Sequence, residues 1–155
     1  MRRALVVAVA AAIQVAMVHG WAAEPLIGTW RLDQQEINGE KTDSRPLTLK
    51  VSQTGDKLAF AFSVPMNDVY VVSMTYTLKL DGSEADVKNA QGEKVGTIRM
   101  TVSGASQYKI VLKGPMRPDS SGKLTVSPDE KTLTSEADTI KDGQSIHSKQ
   151  LFVRD

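Results

Sequence analysis

The chain contains no cysteine. That excludes a thiol nucleophile, a thiolate zinc site and a lipidated N-terminal cysteine, and it leaves the fold without disulfide support. Histidine is nearly as scarce, with two in 155 residues. Only His147 lies beyond the N-terminal segment, and one imidazole without nearby carboxylates in the sequence does not make a metal site. Aromatic residues are few: three Phe, three Tyr and two Trp. Any aromatic-lined site must therefore draw on most of them. Neither sign of charge dominates, with 19 Lys+Arg against 18 Asp+Glu, so nothing argues for nucleic acid or an anionic membrane as partner. No nucleotide-binding or metal motif and no nucleophile elbow is present. An enzyme is the least favoured class, and no catalytic residue, metal or cofactor is assigned.

Residues 1–22 differ from the rest. Arg2 and Arg3 precede an apolar run over 4–18 that is interrupted only by Gln14. The run is shorter than the roughly 20 residues that span a bilayer. Gly20 and Ala22 place small residues at the spacing of a signal-peptidase site. The expectation is a cleavable signal helix over 1–22, followed by one domain over 23–155 that is periplasmic or secreted and has no membrane anchor. Removal of Arg2 and Arg3 leaves 17 basic against 18 acidic side chains, a formal charge of −1.

The remainder alternates. Leu47, Leu49 and Val51 are interleaved with Thr48 and Lys50, and Leu58, Phe60, Phe62 and Val64 with Ala59, Ala61 and Ser63. Tyr70, Val72, Met74, Tyr76, Leu78 and Leu80 form one face of a long segment. Ile98, Met100 and Val102 repeat the pattern, as do Tyr108, Ile110 and Leu112. Period-two alternation marks half-buried strands. The separators are turn signals such as Asn38-Gly39, Thr54-Gly55-Asp56, Asp81-Gly82, Gln91-Gly92 and Asp142-Gly143. About ten strands result, near 27–36, 46–53, 57–64, 69–80, 84–89, 93–103, 106–114, 121–127, 131–140 and 144–154. Connections of hairpin length make a meander, and a long meander exposes two edges unless it closes. The expected fold is all-β, an antiparallel up-and-down barrel; two packed sheets built from the same strands remain an alternative. In the last strand Ile146 lies on one face but Leu151 and Val153 on the other, which implies a bulge or two partly covered faces.

Leu26-Ile27-Gly28-Thr29-Trp30 resembles the Gly-x-Trp first strand of the lipocalins, and Ser127-Pro128-Asp129-Glu130-Lys131 resembles hairpins of bacterial exported lipocalin-like domains in the calycin superfamily. The resemblance implies that Gly28 and Trp30 close one end of a barrel, with Arg154 as the cation laid over the indole.

Alternation points Phe60, Phe62, Tyr70, Met74, Tyr76, Met100 and Tyr108 inward as candidate ligand-binding residues. They suit either an apolar cup or a packed core, because both need the same side chains. The first functional reading is therefore an exported binding protein that holds a small hydrophobic ligand. The alternative is a protein-binding module, a protease inhibitor or envelope assembly factor, with a filled barrel. Its activity would lie in the termini or in the loops 39–46 and 114–122, where Met116 could sit at a barrel mouth. The oligomeric state is open.

Overall fold

The computed structural model describes residues 24–115 and 118–155. The expected signal helix over 1–22 and Met116 lie outside them. Eleven strands follow in order: β1 (Gly28–Ile37), β2 (Glu40–Thr42), β3 (Thr48–Thr54), β4 (Lys57–Met66), β5 (Val69–Leu78), β6 (Ala85–Asn89), β7 (Lys94–Gly104), β8 (Gln107–Lys113), β9 (Ser120–Val126), β10 (Thr132–Lys141) and β11 (Gln144–Arg154). No described residue is helical. The strands pair antiparallel along one sheet, and β11 returns to β1 through a ladder from Trp30–Arg154 to Ile37–Ser148. That ladder decides between barrel and sandwich: the sheet closes on itself. Ten strands form the wall. The eleventh, β2, is a three-residue return on the end of β1 after the Asn38-Gly39 turn, in a stretch whose polar residues read as loop.

One end of the barrel holds the start of β1, the end of β11 and the β3–β4, β5–β6, β7–β8 and β9–β10 turns. We call it the floor. The other end, the mouth, carries the β4–β5, β6–β7 and β10–β11 turns and the connections from β1 to β3 and from β8 to β9. The lower half is solid. Leu26, Trp30, Val51, Phe60, Leu78, Val87, Ile98, Met100, Leu133 and Phe152 are all 2 % exposed or less. Burying each large apolar side chain contributes roughly 1.5–3 kcal/mol, and this packed half stands in for the missing disulfides. Phe60 stacks on Tyr76 with ring centroids 4.7 Å apart.

Bulges reset the alternation in three places that matter here. In β1 the register slips between Leu32 and Gln34. In β7 it slips between Val102 and Gly104. In β5 the pairing passes from Phe62–Met74 to Ser63–Val72, leaving Ser73 as the extra residue. The Ser73 hydroxyl donates to the Phe62 carbonyl at 3.2 Å. The last strand, by contrast, pairs with β10 without a slip from Val153 to Gln144. Ile146, Ser148, Gln150 and Phe152 therefore face inward throughout, and Leu151 and Val153 are half-covered on the outer wall. Both faces of β11 are partly buried, and the bulge lies in its partner β1.

Candidate ligand cavity

The floor is built first. Trp30 is fully buried and donates its indole Nε1–H to the Leu26 carbonyl at 2.9 Å. The Arg154 guanidinium lies over the indole, 4.1 Å from the ring centroid. Its Nη1 and Nη2 donate to the carbonyls of Ile27 (2.7 Å) and Pro25 (2.8 Å), and its Nε to that of Glu130 (2.6 Å). One side chain thus ties the N-terminal segment and the β9–β10 turn to the indole. Gly28 is what permits it. Its φ is +151°, and a Cβ there would sit 2.3 Å from the Arg154 Nη1. The three residues that the Gly-x-Trp resemblance singled out form this one device. Beside it the Tyr108 hydroxyl donates to the Glu24 carboxylate. Burial first, and the facing carboxylate second, push the Tyr108 phenol above its ordinary pKa.

Above the packed half lies a cavity of about 220 Å³. Leu49, Phe62, Met74, Tyr76, Ile110 and Leu112 line one side, with Leu124, Leu133 and Phe152 at its base. Ser120, Ser135, Thr139, Ser148 and Gln150 line the other, around Ala137. The wall is thus divided between an apolar half and a half of hydroxyls and one amide. No charged side chain lines it among the described residues. Pairing explains the polar half. In β10 and β11 the pairs Ser135–Gln150, Ala137–Ser148 and Thr139–Ile146 alternate with Glu136–Lys149 and Asp138–His147, so the charged pairs mark the outer face. Larger grooves exist outside the barrel, one of about 420 Å³ beside the Arg99–Glu84 ion pair, but open solvent and charged side chains border them.

Of the seven expected lining residues, Phe62, Met74 and Tyr76 border this cavity. Phe60, Met100 and Tyr108 point inward but belong to the packed lower half, 1 %, 0 % and 2 % exposed. Tyr70 is a correction. Counting back from Met74 points it inward, but the extra residue Ser73 inverts the parity, and Tyr70 stands 57 % exposed on the outside. Apolar alternation does not reveal the polar half, because its inward positions carry serine, threonine and glutamine. The signal was present: Glu136, Asp138, His147 and Lys149 mark one face of β10 and β11, which assigns the serines to the other. His147, expected to lack a carboxylate, meets Asp138 directly across the ladder, with Nδ1 and Oδ1 2.8 Å apart on the outer surface. Among the described residues no group of three or more His, Asp or Glu side chains is placed to hold a metal ion.

No protein-family model matches the sequence, and no curated protein matches it significantly. Solved structures do match. The zebrafish ileal bile acid-binding protein in complex with cholic acid superposes with a TM-score of 0.60 at 16 % identity, covering 84 % of this chain and 99 % of that one. A mutant of the fatty acid transporter REP1-NXSQ gives 0.56 at 18 % identity, covering 86 % and 100 %. The chain has the fold of a lipocalin-like barrel. An S-type phycobiliprotein lyase from Guillardia theta shares the fold as well, with a TM-score of 0.56 at 9 % identity over 85 % of this chain and 89 % of that one. The lipocalin-like architecture is therefore secure, while activity must be argued from the cavity itself.

Proposed function

We propose that this lipocalin-like chain is an exported binding protein that holds a small hydrophobic molecule in the upper half of its barrel. The observation that carries the reading is the cavity: a space bounded by Phe62, Met74, Tyr76, Ile110 and Leu112 above a solid floor. Apolar walls with a few polar groups that fix orientation are the usual make-up of small-molecule sites. The bile acid and fatty acid proteins of the same fold support the ligand class. Export is supported by the basic and then apolar residues 1–22.

The cavity also narrows the class. Its volume lies below the roughly 300–1,000 Å³ of drug-sized ligand sites, which suits a slender molecule or one whose end remains in the mouth. The described walls offer hydroxyls and an amide but no counter-ion, so the reading favours an amphiphile with a hydroxyl or carbonyl group over a carboxylate. Burying an unpaired charge there would cost several kcal/mol.

Native mass spectrometry of chain purified gently from its export compartment, joined to titration with a fluorescent fatty alcohol and a fluorescent fatty acid, tests the proposal. A co-purifying small mass, or one-to-one uptake of either probe, supports the binding reading, and tighter uptake of the alcohol supports the narrower one. A clean apo mass with no uptake of either probe would refute both.

A further inference from the structure

Among the described residues, most of the exposed large apolar side chains lie in one hairpin. Met66, Val69, Tyr70, Val71 and Val72 are 55 %, 63 %, 57 %, 40 % and 42 % exposed. At the mouth end, β3 pairs with β4 no further than Ser63, and β6 pairs with β5 no further than Met74. Among the described residues, 64–72 therefore project as a two-stranded ribbon with no strand paired to either outer edge. The Asn67-Asp68 turn closes it, with φ of 48° and 65°, the left-handed pair that matches hairpin twist. Val64, Met66, Val69 and Val71 share one face; Pro65, Tyr70 and Val72 share the other.

The two edges of the ribbon differ. Pro65 pairs with Tyr70 and has no N–H, so this is the pair without ladder bonds, and Met66–Val69 and Val64–Val71 carry them. The Pro65 nitrogen then faces outward along β4 and removes a donor from that edge. The amides and carbonyls of Tyr70 and Val72 face outward along β5, where they form a complete row. Proteins guard such edges with lysine, proline, an inward-pointing charge or a bulge. From Val69 to Val72 there is none of these, and the Ser73 bulge lies just beyond, at the barrel side of the ribbon.

We propose that a second copy of this chain pairs with this edge, β5 against β5, antiparallel about a two-fold axis through Val71. Tyr70 of each copy then lies opposite Val72 of the other, and each such pair exchanges two N–H···O bonds. Val71 meets its own symmetry mate. The edge is self-complementary because its donors and acceptors are symmetric about Val71, and aromatic and β-branched side chains meet across the join. The segment has no charge that would select a charged partner. A lipid bilayer fits less well: hydrocarbon would leave the Tyr70 and Val72 amides unsatisfied at several kcal/mol each, and Asp68 sits at the tip.

Sedimentation velocity across a wide concentration range gives the first test, using the chain from residue 23 together with Tyr70→Lys and Val72→Lys. Both side chains point into solvent, so the variants keep the wild-type circular dichroism and melting temperature. Wild type is expected to dimerise, and either lysine should weaken the dimer about tenfold or more. Because the chain has no cysteine, Val71→Cys carries a single thiol. In the proposed pair the two Cα atoms are about 4.5 Å apart, within disulfide reach. Mild oxidation should cross-link Val71→Cys well ahead of Val102→Cys, an exposed control at the floor end. A wild type that stays monomeric, a dimer indifferent to both lysines, equal cross-linking of the two cysteine variants, or flotation of the monomer with phosphatidylcholine vesicles would each overturn the proposal.

Discussion

Replacing Gly28 by Ala tests the floor device in a way that separates backbone from side chain. The new Cβ would lie 2.3 Å from the Arg154 Nη1 and 4.0 Å from the Trp30 Nε1, so the guanidinium must leave its place. What it would lose can be counted. The stacking on Trp30 is worth about 1 kcal/mol. The three bonds to the carbonyls of Ile27, Pro25 and Glu130 are worth about 1 kcal/mol each, below the roughly 1.5–3 kcal/mol of a buried charged donor because the side chain is partly exposed. The positive φ at residue 28 adds about 1 kcal/mol for any side chain. Gly28→Ala should therefore cost ~5 kcal/mol and Arg154→Ala ~4 kcal/mol. The double variant should also cost only ~5 kcal/mol, because without the guanidinium the added methyl meets just the backbone term. The coupling is then about 4 kcal/mol, far above the 0.3–0.5 kcal/mol seen between independent sites. Urea titrations of the four proteins, followed by Trp fluorescence, measure it directly. Additive losses would show that Gly28 is required for its backbone conformation alone, and the account of the Gly-x-Trp pattern given above would fail.

Other expectations follow from single contacts. The Tyr108 phenol is raised in the folded chain, so stability is fully present below the unfolded value near pH 10 and falls as pH rises beyond it, by roughly 1.4 kcal/mol per pH unit. Tyr108→Phe should flatten that part of the alkaline melting profile relative to wild type, and an unchanged profile would refute the assignment. Gly122 in β9 meets β10 so closely that a Cβ would lie 2.0 Å from the Glu136 carbonyl oxygen; Gly122→Ala should cost about 3 kcal/mol or more, read as a lowered denaturation midpoint. Ala137→Phe would place a ring in the cavity opposite Phe62 and Met74. It should abolish probe uptake while the melting temperature changes by only a few degrees, and retained uptake would place the ligand elsewhere.

Much of the architecture is local in origin and so was legible in the sequence. Period-two alternation, and turns such as Asn38-Gly39 and Asp142-Gly143, act over a few residues, and they fix strand positions and hairpin connections without reference to the rest of the chain. The ten wall strands and the inward set Phe60, Phe62, Met74, Tyr76, Met100 and Tyr108 follow from that, whereas the floor motif of Gly28 and Trp30 with Arg154 was legible only through the resemblance to the lipocalin first strand. Three features do not. The bulge at Ser73 is set by how β4 and β5 meet, and one extra residue was enough to turn Tyr70 from the interior to the surface. The depth of each inward side chain depends on strand stagger around the closed ring. Stagger alone separates Phe62, which borders the cavity, from Phe60 two residues away in the solid core. The third is the reach of each strand beyond its neighbours, which leaves the hairpin 64–72 paired only with itself among the described residues. Alternation decides which face a residue takes; only the closed sheet decides how high along the barrel that face lies, and whether anything stands across from it.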